Sequence, residues 1–528
     1  MTTSINILQK RSSGVLLPVF SLPAPCGIGD LGPGAYTFID FLAKAGQSCW
    51  QILPLGPTSG DLGHSPYMSA SALAGNPLLI SPELLVEGGL LQAHQLAYPD
   101  FSAYNIDYHR VEAHKKYLLE LAWEAFQGPA NVGRLDDFIA AHPWAQDYGL
   151  FLALKDWYDQ AAWFEWPKPI RKRDAKALLA AQKDLHSAIR KHCFKQYLFF
   201  EQWQRLRLYA QEKGVQLIGD LPIYVAMDSV DVWMNQEIFA LDPDSCEATH
   251  IAGVPPDYFS ETGQRWGNPL YRWNSDTAAV RAQLYDWWEQ RLRQNFFLVD
   301  VLRLDHFRGF ESYWSVPAEE ETAMVGEWLP GPGLPFFTEM NRRLGQMPLI
   351  AEDLGIITPE VEALRQALGL PGMKILLFAF DYFTDNSYLP YNCPPNSVIY
   401  TGTHDNETAV GWFLNPAVDP AFKQQAKRFA NKNDDNPGSF HTDLIYLAMS
   451  ASSNLAIFPM QDLLGFGNDC RMNTPGQSKG NWLWRVAPHY INDDLAAWLR
   501  ELTRFFGRLP AQTPQRKQQA HNDAHPYS

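Results

Sequence analysis

Three short segments of this sequence place a carboxylate at or just beyond the end of an apolar run. Asp305 follows residues 296–304, Glu352 follows residues 348–351, and Asp405 comes shortly after residues 397–401. Cleavage of a glycosidic bond needs two carboxyl groups, because one protonates the leaving oxygen while the other acts as a base or a nucleophile. A third carboxylate can stabilise the distorted sugar. The three acids together therefore indicate glycoside chemistry.

The neighbours of these acids suggest how each carboxyl group is tuned. Arg303 and Asp305 share one face of a strand, where the guanidinium would keep the carboxylate ionised, as a nucleophile requires; a structural ion pair explains this spacing equally well. Glu352 ends an apolar run, where the pKa of a carboxyl group can rise toward neutrality; a solvated strand end is the alternative. His404, taken alone, is more typical of a structural hydrogen-bonding residue than of a catalyst.

The elements that must position these side chains are short, continuous apolar runs of strand length. Runs of this kind are typical of strands buried on both faces. Helical spacing separates several of them, as in Phe38, Phe41, Leu42 and Ala45. We therefore predict an α/β fold of the (β/α)8 TIM-barrel class, in which catalytic groups collect at the carboxyl ends of the strands. The eight predicted strands lie within residues 14–20, 49–55, 215–224, 296–304, 348–351, 373–380, 397–401 and 455–460.

The barrel is expected to span residues 1–509 and to carry two insertions. Residues 90–211 are strongly helical and are predicted to form a subdomain after the second strand. Residues 225–273 are predicted to be loop-rich and to form a lid over the active site. Residues 510–528 are polar and are expected to be a disordered tail, so no separate C-terminal β-domain is predicted.

Composition excludes several classes of function. The 528 residues include 43 Lys and Arg against 58 Asp and Glu, a net charge of −15, which disfavours nucleic acids and anionic membranes as partners. No run approaches the roughly 20 apolar residues of a membrane span, and we expect no signal peptide. The six cysteines are widely scattered, as in free thiols of a reducing compartment. A cytoplasmic enzyme with a neutral ligand is expected.

One glycine-rich segment has an alternative interpretation. Residues 27–32 match the GxGxxG pattern of dinucleotide-binding loops, which also requires an acid about 20 residues further on. Residues 41–60 contain no Asp or Glu, and Pro23 and Pro25 separate the strand from the glycines. A tight loop at the top of the barrel is the better interpretation.

Ordered motifs along nearly the whole chain carry a specific resemblance. Besides the segments around the three acids, they are Ser65-Pro66-Tyr67, Gly75-Asn76-Pro77-Leu78, Gly219-Asp220-Leu221-Pro222-Ile223-Tyr224, Gly253-Val254-Pro255-Pro256-Asp257-Tyr258-Phe259, Gly263-Gln264-Arg265-Trp266-Gly267-Asn268-Pro269-Leu270-Tyr271, Pro371-Gly372-Met373-Lys374 and Arg471-Met472-Asn473-Thr474-Pro475-Gly476. This set resembles the amylomaltase family, the 4-α-glucanotransferases or disproportionating enzymes of the α-amylase clan. Met68 departs from the pattern, because the family usually has Gln after Ser-Pro-Tyr.

The resemblance implies a role for particular residues. Asp305 would be the nucleophile, Glu352 the general acid/base and Asp405 the transition-state stabiliser. Residues 253–259 would form a mobile loop over the cleft. The substrate-binding residues implied in this way, or lying beside those acids, are Ser65, Tyr67, Asp220, Asp257, Tyr258, Phe259, Trp266, Arg303, His306, Asp353, His404 and Asn473.

The function implied is retaining transfer of α-1,4-glucan segments to the 4-hydroxyl of glucose or of another such glucan. Neither a metal nor an organic cofactor is required. The expected partners are α-1,4-glucans, maltooligosaccharides and glucose, and the expected assembly is a monomer or a weak homodimer. Two alternatives remain: an α-glucan hydrolase that uses water as acceptor, and a non-catalytic glucan-binding protein.

Overall fold

The computed structural model describes residues 7–256, 260–477 and 479–510, apart from the side chains of residues 129 and 130. The predicted polar tail therefore lies outside the described residues except for its first residue. Within the described part, no helix combines the length and the apolar character needed to cross a bilayer. All six cysteines are free thiols, and five of them are buried.

The strands of the described residues, numbered along the chain, are β1 (Ser12–Leu16), β2 (Cys49–Gln51), β3 (Gln216–Pro222), β4 (His250–Val254), β5 (Gln264–Pro269), β6 (Val301–Asp305), β7 (Ser312–Pro317), β8 (Glu327–Pro330), β9 (Leu349–Ala351), β10 (Gly372–Ile375), β11 (Ser397–Tyr400) and β12 (Leu455–Pro459). Eight parallel strands form a closed barrel in the order β1-β12-β11-β10-β9-β6-β3-β2. The remaining four strands form a separate antiparallel sheet in the order β5-β4-β7-β8.

The predicted (β/α)8 barrel is confirmed, and each of the eight predicted apolar runs overlaps a barrel strand. The strands are buried along almost their whole length, because helices cover the outer face and side chains fill the interior. The predicted run at 296–304 begins five residues before strand β6. Its first three residues end a helix, and a buried helix end and a buried strand are equally apolar.

Helices surround the barrel and fill the connection between β2 and β3. This connection is the segment that the sequence assigns to a helical insertion. Its long helix α8 (His186–Glu212) packs along α5 (Trp144–Trp157), and their aromatic side chains join the same hydrophobic core as the barrel. The α-helices of the described residues are α1 (Pro33–Lys44), α2 (Pro82–Glu87), α3 (Tyr108–Ala125), α4 (Pro129–Ala141), α5 (Trp144–Trp157), α6 (Lys168–Arg171), α7 (Ala175–Asp184), α8 (His186–Glu212), α9 (Val230–Met234), α10 (Ala278–Leu298), α11 (Gly333–Leu344), α12 (Pro359–Ala367), α13 (Ala409–Leu414), α14 (Pro420–Phe429), α15 (Phe440–Ser450), α16 (Met460–Leu464) and α17 (Asp493–Phe505).

The antiparallel sheet joins two regions that are distant in sequence. Strands β4 and β5 come from the connection between β3 and β6, which sequence describes as loop-rich, whereas β7 and β8 follow β6. Strand β4 pairs with β7, although β5 and the barrel strand β6 lie between them in the sequence. The local sequence pattern therefore gives no indication of this pairing. The sheet stands beside the carboxyl ends of the barrel strands, where residues of β4 and β5 border a cleft.

A buried arginine closes the opposite, N-terminal end of the barrel. The side chain of Arg508 is fully buried and makes hydrogen bonds with backbone carbonyl groups. Its guanidinium donates to the carbonyl oxygens of Ser12 and Asn454, and to those of Met449 and Ala451 at the end of α15. This arginine therefore ties the C-terminal segment to the starts of β1 and β12.

We expect Arg508→Met to lower the free energy of unfolding by about 3 kcal/mol or more, because several buried carbonyl oxygens would lose their donor. Thermal unfolding followed by circular dichroism measures the effect. Arg500→Met is the matched control, since Arg500 is exposed and, within the part of the chain that the structure describes, donates only to the carbonyl oxygen of Lys44. Equal melting temperatures for the two variants would contradict this role for Arg508.

Candidate active site

A cleft of about 1810 Å³ opens at the carboxyl ends of the barrel strands. It is bordered by the strand ends, by the antiparallel sheet and by the segment after β12. Ten of the residues predicted to form the site line this cleft: Ser65, Tyr67, Trp266, Arg303, Asp305, His306, Glu352, His404, Asp405 and Asn473. Asp257, Tyr258 and Phe259 lie outside the described residues, and the flanking Pro255 and Ser260 line the cleft.

Asp305 is positioned by a buried guanidinium. Arg303 and Asp305 lie on β6, and Asp220 is the residue paired with Arg303 on the neighbouring strand β3. Nη1 of Arg303 donates to both carboxylate oxygens of Asp220 and to Oδ1 of Asp305, each at 2.8 Å. The arginine thus orients one oxygen of Asp305 and leaves the other available to the cleft.

Glu352 is positioned by backbone donors. Directly after β9, its own N–H donates to the carbonyl oxygen of Leu304, which links it to the end of β6. The N–H of His306 donates to Oε2 at 2.7 Å and that of Leu354 to Oε1 at 2.9 Å. His306 has a φ of 54°, in the left-handed region that non-glycine residues seldom occupy. This uncommon conformation aims its N–H at the carboxyl group.

The two carboxyl groups titrate above their ordinary range. Burial raises the pKa of Glu352 to about 7, and this effect exceeds the opposing effects of Arg303 and the two N–H donors. Burial also raises the pKa of Asp305 to about 6, although the adjacent Arg303 lowers it. Asp305 accepts a hydrogen bond from a guanidinium, whereas Glu352 accepts none from such a group in the described part of the chain. The arrangement therefore favours an ionised Asp305 beside a Glu352 that holds a proton near neutral pH.

Asp405 belongs to a separate network that keeps it ionised. Burial raises its pKa, but the neighbouring His404 and the hydrogen bond from Asn473 outweigh burial and lower the pKa to about 2. His404 Nε2 lies 3.2 Å from Oδ2, and Asn473 Nδ2 donates to Oδ1 at 2.6 Å. The pKa of His404 is raised, since Asp405 outweighs the lowering effect of burial. Asp405 therefore presents a permanent negative charge to the cleft.

Tyr67 connects the two networks. Its hydroxyl donates to Asp220 Oδ2 at 2.9 Å, and its ring stacks on His404 with a centroid separation of 5.2 Å. Trp482 packs against both rings, at 5.8 Å from Tyr67 and 5.9 Å from His404. These aromatic rings form a wall of the cleft beside Asp305 and Asp405.

Two of the predicted site residues are not among those that line the cleft. Asp220 has a fully buried side chain and lies beneath the wall, where it holds Arg303 and Tyr67. Asp353 faces β10 rather than the cleft. Its carboxylate accepts from the N–H of Met373 at 2.7 Å and lies 3.2 Å from Arg365 Nε. Asp220 thus contacts the site through Arg303 and Tyr67, whereas Asp353 joins β10 to Arg365 of α12.

Sequence reasoning missed several side chains that line the cleft. Trp482 has a left-handed φ of 63° and reaches the site from the segment after β12, yet a buried Trp gives no local signal of function. Trp412 lines the far wall on α13. Glu407 also lines the cleft, and its position two residues after Asp405 was a usable signal.

The arrangement supplies the groups needed for acid/base and nucleophilic chemistry at a sugar. One carboxylate is held by a guanidinium, a second carboxyl group carries a raised pKa, and a third is permanently ionised. Aromatic faces beside them suit the apolar C–H faces of a pyranose. Among the described residues, no cluster of three His, Cys, Asp or Glu side chains has a geometry that would hold a metal ion.

Comparisons with known proteins agree with this geometry. The family model of the 4-α-glucanotransferases matches residues 17–491. The 4-α-glucanotransferase of Synechocystis sp. is 48% identical over 509 residues, which cover 95% of this chain and 99% of that protein. The enzyme of Thermus thermophilus is 43% identical over 512 residues, covering 94% and 99%. The amylomaltase of Streptococcus agalactiae, solved in complex with acarbose, is 38% identical with a TM-score of 0.90, covering 95% and 100%. The chain therefore belongs to the 4-α-glucanotransferase family.

Proposed function

We propose that this chain transfers segments of α-1,4-glucan to the 4-hydroxyl of glucose or of another α-1,4-glucan by retaining double displacement. The observation that carries the mechanism is the contrast between Asp305, bonded to Arg303, and Glu352, whose carboxyl group has a raised pKa. Membership of the 4-α-glucanotransferase family supports the substrate class. The binding of acarbose by a structural relative supports a saccharide in the cleft.

The first half-reaction cleaves the donor. The ionised Oδ of Asp305 attacks the anomeric carbon while the bond from that carbon to the glycosidic oxygen breaks. Glu352 gives its proton to the leaving oxygen, which departs as the 4-hydroxyl of the released fragment. The glucosyl group remains on Asp305 as an ester. The bond from Arg303 to the other oxygen holds the attacking carboxylate in place.

The second half-reaction reverses these roles. Glu352, now ionised, takes the proton of the acceptor 4-hydroxyl as that oxygen attacks the anomeric carbon, and Asp305 leaves as a carboxylate. Two inversions at one carbon retain the α-configuration. The permanent negative charge of Asp405 stabilises the positive charge that develops on the sugar ring in both transition states.

Transfer exceeds hydrolysis only when an acceptor sugar displaces water from the cleft. Trp266, whose ring meets that of His306 edge to face at 4.9 Å, offers one apolar surface for such an acceptor. We assign the same task to residues 253–259, because Val254 and Pro255 line the cleft and two prolines limit the conformations of this segment. The α-glucan hydrolase remains the alternative, because the carboxyl groups serve either acceptor.

The proposed setting is the cytoplasm, with the chain as a monomer or a weak homodimer. Free, mostly buried cysteines are typical of a reducing compartment. Sedimentation equilibrium measures the assembly directly, and a stable higher oligomer would contradict it.

Incubation with maltotriose tests the function and the nucleophile together. The wild type should produce both shorter and longer maltooligosaccharides, whereas shorter products alone would mean hydrolysis. Asp305→Asn should lose about three orders of magnitude or more in turnover, because an amide cannot form the glucosyl ester. Asp276→Asn, at an exposed position away from the cleft, is the matched control. Near-wild-type turnover by the Asp305 variant would remove this residue from the nucleophile role.

The role of Glu352 as proton donor is tested with two donors that differ in leaving group. A maltosyl fluoride needs no proton on departure, whereas a maltooligosaccharide does. Glu352→Gln should therefore lose at least about 100-fold more rate with the oligosaccharide than with the fluoride. Glu407→Gln is the control, since Glu407 lines the same cleft and should affect both donors alike. Equal losses in the Glu352 variant would assign the proton to another group.

The pH dependence follows from the two raised pKa values. Below about pH 6 Asp305 gains a proton and loses its nucleophilicity, and above about pH 7 Glu352 loses the proton that it must donate. The kcat/KM for maltotriose should therefore fall on both sides of this interval. With maltosyl fluoride the alkaline decline should disappear while the acidic decline stays. An alkaline decline that is identical for the two donors would contradict the assignment.

A further inference from the structure

A group of aromatic side chains stands exposed on the catalytic end of the barrel, outside the cleft. In the connection between β10 and β11, the residues Tyr382, Phe383 and Tyr391 are 73%, 66% and 58% exposed. Large aromatic residues are rarely left this open to water, and together these three form what we call the aromatic surface. The proposed mechanism uses none of them.

Neighbouring side chains hold this surface in place. The ring of Tyr382 packs edge-on against Phe422 of α14 with centroids 4.7 Å apart, and its hydroxyl donates to Asp419 at 2.5 Å. Tyr391 stacks on Phe429 of the same helix, with centroids 6.1 Å apart. Each tyrosine is therefore anchored on one side while more than half of its surface stays exposed. A fixed ring loses little conformational entropy when a ligand stacks on it.

The aromatic surface begins where the wall of the cleft ends. Val418 lines the cleft, and the next residue along the chain is Asp419, the partner of the Tyr382 hydroxyl. Trp412 also lines the cleft, and its ring packs against Phe380, which lies two residues before Tyr382 in the chain. The cleft wall and the aromatic surface are therefore adjacent, and a linear ligand that leaves the cleft along this wall would reach Tyr382.

The chemistry of the surface indicates its ligand. Pyranose rings present apolar C–H faces that stack on aromatic rings, and their hydroxyl groups donate hydrogen bonds to carboxylate oxygens at the edge. Carboxylates of this kind stand beside the rings, on Asp381, Asp385 and Asp419. An anionic ligand would be repelled by them. The exposed residues within the same loop, Thr384 and Ser387, are polar rather than aliphatic as in the core of a stable protein interface.

We propose that the aromatic surface binds the α-1,4-glucan chain outside the cleft, as an extension of the path that leads from the catalytic carboxylates. This inference rests on the proposed function, because that function supplies a glucan to the cleft. Such a site adds contacts only for chains that are long enough to reach it. It would thus raise the affinity for long glucans and leave short maltooligosaccharides unaffected.

The test compares long and short substrates. Loss of two stacking rings in Tyr382→Ala/Phe383→Ala should weaken binding to amylose about three- to tenfold, as measured by retardation in native gels that contain amylose and by KM. The kinetics with maltotriose should stay at the wild-type level. Tyr382→Phe keeps the ring and removes the bond to Asp419, so it should retain most of the amylose binding. This second variant separates stacking from anchoring of the loop.

The matched control is Phe505→Ala. Phe505 is an aromatic residue that is 65% exposed at the end of α17, and the next residue, Phe506, accepts a hydrogen bond from Arg11 beside the start of β1. It therefore stands at the opposite end of the barrel. Its substitution should leave both amylose retardation and maltotriose kinetics unchanged.

Three results would overturn the assignment. The first is wild-type retardation and amylose KM in the double variant, and the second is an equal loss in Phe505→Ala. The third is a fall in sedimenting mass of the double variant with unchanged amylose binding, which would make the surface a contact between copies of this chain. The proposed function is judged separately, by maltotriose disproportionation in the wild type. If the wild type transfers glucosyl units and the variants bind amylose normally, only the proposed surface site is rejected.

Discussion

The guanidinium of Arg303 is the charge on which the rest of the site depends. It is buried between two neighbouring strands, and a buried cation is stable only when it is paired and hydrogen-bonded. Asp220 supplies a carboxylate from β3 and Asp305 supplies one from β6, so that one residue both links the strands and orients the nucleophile. Asp220 also holds Tyr67. Removing this one charge would leave two carboxylates close together without a counter-ion.

The barrel gives three carboxyl groups of similar intrinsic acidity three different protonation behaviours. Asp305 has a guanidinium, Asp405 has a histidine and an amide, and Glu352 has only backbone N–H groups. All three are partly buried, so the partner rather than the degree of burial decides which group keeps a proton near neutral pH. A glucanotransferase needs this division, because Glu352 must be protonated in the first half-reaction and ionised in the second, whereas Asp305 must be ionised when it attacks.

The cleft and its surroundings extend this chemistry to a polymer. The antiparallel sheet and the segment after β12 place aromatic rings, among them Trp266 and Trp482, around the carboxylates. On the opposite side the wall continues through Trp412 and Val418 toward the exposed rings at Tyr382. A long glucan could thus meet apolar faces both at the reacting bond and well beyond it. The closed barrel beneath, tied at its far end by Arg508, provides a rigid base for these contacts.

The sequence by itself determined the class of fold and the principal acids. Continuous apolar runs report burial on both faces, and the residues that follow them, such as Asp305 and Glu352, must lie at the strand ends. It did not determine which side chains meet. The left-handed turn at His306, the packing of Trp482 against Tyr67 and the pairing of β4 with β7 depend on contacts between residues far apart in the chain. Asp220 and Asp353 carry the same carboxylate as Asp305, but Asp220 holds Arg303 and Tyr67 beneath the cleft and Asp353 contacts Met373 and Arg365. Only the tertiary structure decided this, because a carboxylate takes its role from the charges and donors that folding brings next to it.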